Sequence, residues 1–113
     1  MLFRSDLFES IKGCGVIVSE HPLGTTIRRE SFLPRNRLIA ALSRATVVVE
    51  SAQRSGSLNT ATEAIALNRV VCAVPGPVTS AQSAGCHRLI ADDRALLVTD
   101  ATSVLAYLGG PLE

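Results

Sequence analysis

Two stretches of this 113-residue chain gather arginine, asparagine, small hydroxyls and glycine in a layout suited to holding an anion. The first is Phe32-Leu33-Pro34-Arg35-Asn36-Arg37, running into Leu38-Ile39-Ala40-Ala41-Leu42-Ser43. The second, Ser55-Gly56-Ser57-Leu58-Asn59-Thr60-Ala61, follows the apolar Val47-Val48-Val49 and Glu50. Each reads as a loop feeding the start of a helix, where first-turn N–H groups lack intrahelical partners and the positive dipole end converges on them. The anion expected there is a phosphate, on a nucleotide or on a nucleic-acid backbone. The candidate contacts are Arg35, Asn36, Arg37, Ser55, Gly56, Ser57 and Thr60. Gly76 joins them from Pro75-Gly76-Pro77, where a glycine lets the chain turn sharply and bring backbone close to a ligand.

Each candidate has a plainer alternative. Arg35 and Arg37 fit a solvated helix face equally well, and Arg37 is also placed to pair with Glu50 or Glu63. Ser55 to Ser57 fit simple N-capping, although one capping serine satisfies only one of four N–H groups. Glu50 reads as a buried partner for Arg37 or Arg54 ahead of a catalytic base. Cys86-His87 lacks a second ligand pair, so no metal site is expected. His21 and Pro22 read as loop-shaping residues.

The elements that must position these residues alternate. A short helix capped by Ser5 or Asp6 runs through Ile11 and stops at Gly13. Val16-Ile17-Val18 reads as a brief strand, followed by a polar connection from His21 to Ser31. Pro34 suits the first turn of the next helix, whose buried stripe is Leu38, Ile39 and Leu42, with Ala40 and Ala41 permitting close packing. Thr46 to Glu50 lacks polar alternation and reads as a strand buried on both faces. A helix from Leu58 to Leu67 with Asn68 as C-cap, a strand at Val70–Val74, a helix at Ala84–Ala91, a strand at Ala95–Val98 and a helix from Asp100 or Ala101 to Leu108 complete the order. The pattern predicts an α/β fold, a Rossmann-like three-layer α/β/α arrangement with a mostly parallel sheet and right-handed crossovers. Ligands of such sheets sit beyond the carboxyl ends of the strands, where the candidate segments fall.

Composition sets the outer bounds. Apolar residues make up 47% of the chain, enough for one compact core. No apolar run approaches the roughly 20 residues of a membrane span, so no membrane partner is expected. Three cysteines without metal-ligand spacing read as reduced thiols of a cytoplasmic protein. Net charge is only +1, yet Arg28, Arg29, Arg35, Arg37 and Arg44 have only Glu30 as an acid between them. That local basic patch is the better footprint for phosphate.

Phe32 through Ser43, Val47 to Glu50, Ser55 to Ala61, Val74-Pro75-Gly76, Ser83 to Ile90 and Ser19 to Thr25 together resemble the DprA/Smf family of bacterial DNA-processing proteins, in the family's order and over residues 7–104. The resemblance implies a Rossmann-like domain that binds and protects single-stranded DNA in natural transformation, loads the RecA recombinase and forms homodimers; no cofactor is expected. The family's earlier Gly-Ser-Arg loop and Tyr-Gly segment do not occur here, nor do its flanking helical and winged-helix-like domains. Residues 1–111 therefore read as the C-terminal portion of the Rossmann-like domain, with 112–113 a cloning scar. The family's Phe-Pro-x-Arg-Asn-Arg has its proline shifted by one, at Pro34, and a partial, weakly binding site is expected.

The competing class is a nucleotide-binding or nucleoside-monophosphate-hydrolysing enzyme of the lysine-decarboxylase-like Rossmann type. Its Pro-Gly-Gly-x-Gly-Thr loop corresponds to Ser55-Gly56-Ser57-Leu58-Asn59-Thr60, with Glu63 after it, a degraded version of the catalytic pattern. Gly56-Ser57-Leu58 also lacks the Gly-x-Ser-x-Gly elbow. Binding without catalysis is the expectation. With Phe32 the only aromatic near the patch, contacts should run mostly to the DNA backbone.

Overall fold

The computed structural model describes residues 2–25 and 32–109. Arg28, Arg29 and Glu30 of the basic patch lie outside them, as do the ring of Phe32 and the terminal pair 112–113. The order is α1 (Leu2–Cys14), α2 (Phe32–Ala41), β1 (Ala45–Val48), α3 (Gly56–Ala66), β2 (Val70–Ala73), a 3-10 turn (Ala81–Ser83), α4 (Ala84–Ala91), β3 (Leu96–Leu97) and α5 (Ala101–Tyr107). The strands form a parallel sheet in the order β1-β2-β3, with Ala45 opposite Val70 and Cys72 opposite Leu96. This is the expected α/β, Rossmann-like arrangement.

β2 is buried on both faces, at Val71, Cys72 and Ala73 alike. Its continuous apolar run suits a central parallel strand. α3 buries Thr60, Ala61 and Ala64 against the sheet, and α4 buries Gly85, Cys86 and Leu89. The core is rich in small side chains, Ala40, Ala61, Ala64, Ala73 and Cys86, so helices and sheet approach closely.

The helix ends follow local chemistry. Asn68 and Asp93 take left-handed φ of 61° and 59° just beyond α3 and α4. Arg69 N donates to Ala64 O, and Asn68 N to Ile65 O. Arg94 N to Leu89 O and Asp93 N to Ile90 O repeat the pattern after α4. These are Schellman closures, with Asn and Asp substituting for the usual glycine. Asn68 is thus one position past the cap, which is Leu67. Asp100 caps α5, accepting from Ser103 N at 2.8 Å.

Four expectations are corrected. The first helix begins before Ser5 and continues through Gly13 to Cys14. Val16-Ile17-Val18 is not a strand, and Val16 and Val18 are 77% and 66% exposed. Apolar composition alone does not make a strand, and no strand among the described residues pairs with this segment. β1 is buried on one face only, since Val48 is buried while Val47 and Val49 are exposed. Among the described residues it is the first strand in the order and pairs with β2. Among the described side chains of α2 the buried ones are Asn36 and Ala40, whereas Ile39 and, just past the helix, Leu42 face outward. α2 packs chiefly on α3, and close helix contact selects the small Ala40 over the larger leucines.

Candidate functional site

The loop from β1 to α3 is the centre of the site, and it is held from below. Ser51 is buried; its N–H donates to Gln82 O at 2.8 Å, and its carbonyl accepts from Gly85 N at 2.7 Å. A side chain at Gly85 would come within 2.5 Å of Ala52 O and 2.7 Å of Ser51 O. Only glycine lets the start of α4 lie this close beneath the loop. Ser51 and Gly85 are the positioning residues that sequence reasoning missed. The signal was a glycine in a helix start, whose close neighbour is the chain itself.

Ser55 is the N-cap of α3 by its extended backbone, but its side chain makes no capping hydrogen bond. Its hydroxyl pairs instead with Ser51 Oγ at 2.6 Å. The capping alternative therefore fails for the Ser55 side chain, which leaves the first-turn N–H groups of α3 without that partner. Ser57 is exposed in the first turn and is no cap. Gly56 opens the helix, has no positive φ, and a Cβ there would meet nothing within 4 Å. The fold itself does not require glycine at position 56.

α2 is fastened to this helix start by Asn36, only 4% exposed. Its Nδ2 donates to Gly56 O at 3.3 Å and to Asn59 Oδ1 at 3.2 Å, while Arg35 Nη2 donates to its Oδ1 at 3.3 Å. Asn36 is thus spent inside the protein and aligns two helices; the site surface passes above it. Asn59, its partner, was not foreseen as part of the constellation. Thr60 is also buried, its hydroxyl donating to Gly56 O at 3.3 Å. Arg35, Gly56 and Ser57 remain at the surface.

Arg37 forms an ion pair with Glu20, from the segment after α1, rather than with Glu50 or Glu63. Glu50 is exposed, contrary to the buried role expected for it. It lies instead on the rim of an open depression of about 380 Å³ over β1, with Ser57 and Thr60 at its other side. Gly76 serves a different contact. Its N–H donates to His87 Nε2 at 3.1 Å, and a Cβ there would fall 2.1 Å from Ser83 Oγ. The close approach that Gly76 permits is to α4, within the chain. His87 accepts at Nε2, so it faces the backbone of the Pro75-Gly76-Pro77 turn rather than a hydroxyl nucleophile. Burial pushes the thiols of Cys72 and Cys86 upward in pKa, favouring the protonated form; Cys86 Sγ lies 3.5 Å from Val48 O. Among the described residues there is no group of three or more His, Cys, Asp or Glu side chains arranged for a metal ion. No helix among them is long and apolar enough to cross a membrane.

The arrangement is a pair of helix starts locked side by side, with an arginine and an exposed glycine-serine turn at the surface. Comparison with known proteins gives it a lineage. A putative DNA processing protein DprA from Mycobacterium tuberculosis is 52% identical over 106 residues, covering 94% of this chain and 27% of the relative. The crystal structure of DNA processing protein A from Streptococcus pneumoniae superposes with a TM-score of 0.85 at 39% identity, covering 91% of this chain and 36% of that one. The Helicobacter pylori DNA processing protein A, whose structural study concerns its single-stranded DNA binding mode, superposes with a TM-score of 0.70 at 26% identity, covering 80% and 41%. The chain thus spans about a quarter of the length of the curated relatives it matches. The profile of the DNA recombination-mediator protein A family matches residues 3–109, and the chain belongs to that family.

Proposed function

We propose that this chain binds single-stranded DNA by its phosphate backbone, without catalysing a reaction, as part of a cytoplasmic DNA-processing protein of natural transformation. The observation that carries the reading is the α2–α3 lock. Asn36 holds Arg35 beside an α3 start whose N-cap serine side chain is engaged elsewhere. First-turn N–H groups beside a guanidinium suit a phosphodiester, and the single-stranded DNA binding described for the Helicobacter pylori relative agrees in ligand class. Backbone contact of this kind carries little sequence preference. In the whole protein we assign to this function the loading of the RecA recombinase and a homodimeric state. Residues 1–111 act in it as the C-terminal portion of a longer Rossmann-like domain. The solvent-facing Val47 of β1, Val49 just after it and the exposed Val16 to Val18 support that last assignment, being apolar surface suited to cover by more of the same sheet.

The test is the salt dependence of single-stranded DNA binding. Arg35→Ala should weaken binding to all sequences and lower the slope of log K against log salt by about 0.7, one phosphate contact. An unchanged slope would return Arg35 to an ordinary solvated position. Hydrolysis of nucleoside monophosphates that disappears in Glu63→Ala would overturn the non-catalytic assignment.

A further inference from the structure

Arg35 and Arg37 are two residues apart on α2, so they project roughly 200° from each other around the helix axis. Between them Asn36 points at α3, to which it is hydrogen-bonded. Arg35 therefore stands on one side of the α2–α3 seam and Arg37 on the other. Arg37 is paired with Glu20, and the two side chains are 52% and 35% exposed.

Glu20 belongs to a short strap, residues 19–25, that is folded on itself. Thr25 N and Thr25 Oγ1 both donate to Pro22 O, at 3.2 and 2.7 Å, and His21 N donates to Ser19 Oγ at 3.1 Å. Every residue of the strap is exposed, Leu23 fully so. Among the described residues, the pair with Arg37 is the strap's one polar contact outside itself. A charge pair anchors the strap to α2, with no buried side chain to add to it.

Two properties of this anchor matter. An ion pair exposed to this degree contributes little net stability, because water and salt screen it. A phosphodiester also offers a guanidinium what a carboxylate does, anionic oxygens that accept from its N–H groups. Glu20 thus occupies Arg37 as an internal substitute for a phosphate, and a strand phosphate can take its place at small cost.

We propose that Glu20 is an autoinhibitory contact: it withholds Arg37 from DNA in the free protein, and a phosphate of the bound strand displaces it and releases the strap. The inference rests on the phosphate-binding reading of the helix starts and adds a regulated second arginine to it. Arg35 meets the strand from the outset, whereas Arg37 joins only after the exchange.

The test measures affinity for oligothymidylate by fluorescence anisotropy, with Glu20→Gln, Arg37→Ala and the double variant beside the unsubstituted 113-residue chain. Glu20→Gln keeps the shape and removes the charge, so affinity should rise about two- to fivefold, the range set by freeing one exposed ion pair. Arg37→Ala should lower affinity, and Glu20→Gln should change nothing further on that background. Hydrogen exchange of residues 19–25 should quicken when oligothymidylate is added to the unsubstituted protein, and should already be fast in Glu20→Gln. A fall in affinity in a Glu20→Gln protein of native melting temperature overturns the proposal, because Glu20 would then present Arg37 to the strand. Unchanged affinity in either single variant overturns it too. A rise that persists in the double variant is a general charge effect and overturns the exchange, as does a strap whose exchange slows on binding. Arg35→Ala reports on the phosphate reading separately. If it weakens binding while Glu20→Gln does not strengthen it, the exchange alone is refuted; if no form of the chain binds oligothymidylate, both readings fail.

Discussion

Asn36 separates two ways in which a polar residue can matter to DNA binding, by touching the strand or by aligning the helices that do. In the structure it is buried and makes two donated hydrogen bonds across the α2–α3 contact, at 3.3 and 3.2 Å. Both are at the long end of the normal range, so each contributes about 0.5–1 kcal/mol net. Asn36→Ala removes both and strips Asn59 Oδ1, half-buried, of a donor. The loss then totals about 2 kcal/mol, allowing for the desolvated acceptor. On a domain of this size that corresponds to a fall in Tm of roughly 8–16 °C. Affinity for single-stranded DNA should fall with it, because Arg35 and the Gly56 turn lose their common register. Asn36→Asp should be worse, since it turns acceptors toward Gly56 O and Asn59 Oδ1 and buries a charge. Thermal melts followed by circular dichroism, with anisotropy on the same samples, measure both quantities. An Asn36→Ala protein that melts like the parent yet binds DNA poorly would refute the argument, and would make Asn36 a direct ligand. A protein that melts early but binds normally at low temperature would refute the alignment role instead.

The remaining predictions follow from the same structure. Gly56→Val should leave the fold standing, since the added carbons enter open space at ordinary helical φ, while weakening DNA binding by blocking backbone approach; a protein that melts early but keeps full affinity would make the turn structural. Ser57→Ala, at an exposed non-capping position, should change stability by less than about 0.5 kcal/mol in a thermal melt. Asp in place of Val71, 5% exposed on the central strand, should abolish cooperative melting, because an unpaired buried carboxylate costs several kcal/mol of the roughly 5–15 available. Hydrogen bonds from the Ser103 side chain and backbone hold the Asp100 carboxyl below its ordinary pKa. Its capping contribution is therefore fully present above about pH 4 and is lost as pH falls through the lower folded value. Asp100→Asn should flatten that part of the acid-melting profile, and an unchanged profile would show that the cap does not couple to folding.

The sequence by itself determined the α/β class, the alternation of parallel strands with helices, the limits of α4 and the place where α5 begins. These rest on local signals: continuous apolar runs and the Pro75-Gly76-Pro77 break after β2. It also carried the two motifs that bring the chain into its family. Tertiary structure alone decided which of those apolar runs found a neighbour. Val16 to Val18 and Val70 to Ala73 look alike in composition, yet only the second has strands on both sides. The fate of each polar candidate was likewise a matter of packing. Asn36, Thr60 and Gly76 sit in the same motifs as Arg35 and Gly56, or in the turn after β2, yet Asn36 and Thr60 are buried and all three bond within the chain, whereas Arg35 and Gly56 lie at the surface. Motif spacing brings residues to one place along the backbone. Which of them face inward depends on partners elsewhere in the fold, four residues away for Thr60, eleven for Gly76 and twenty-three between Asn36 and Asn59, and a linear pattern carries no record of those pairings.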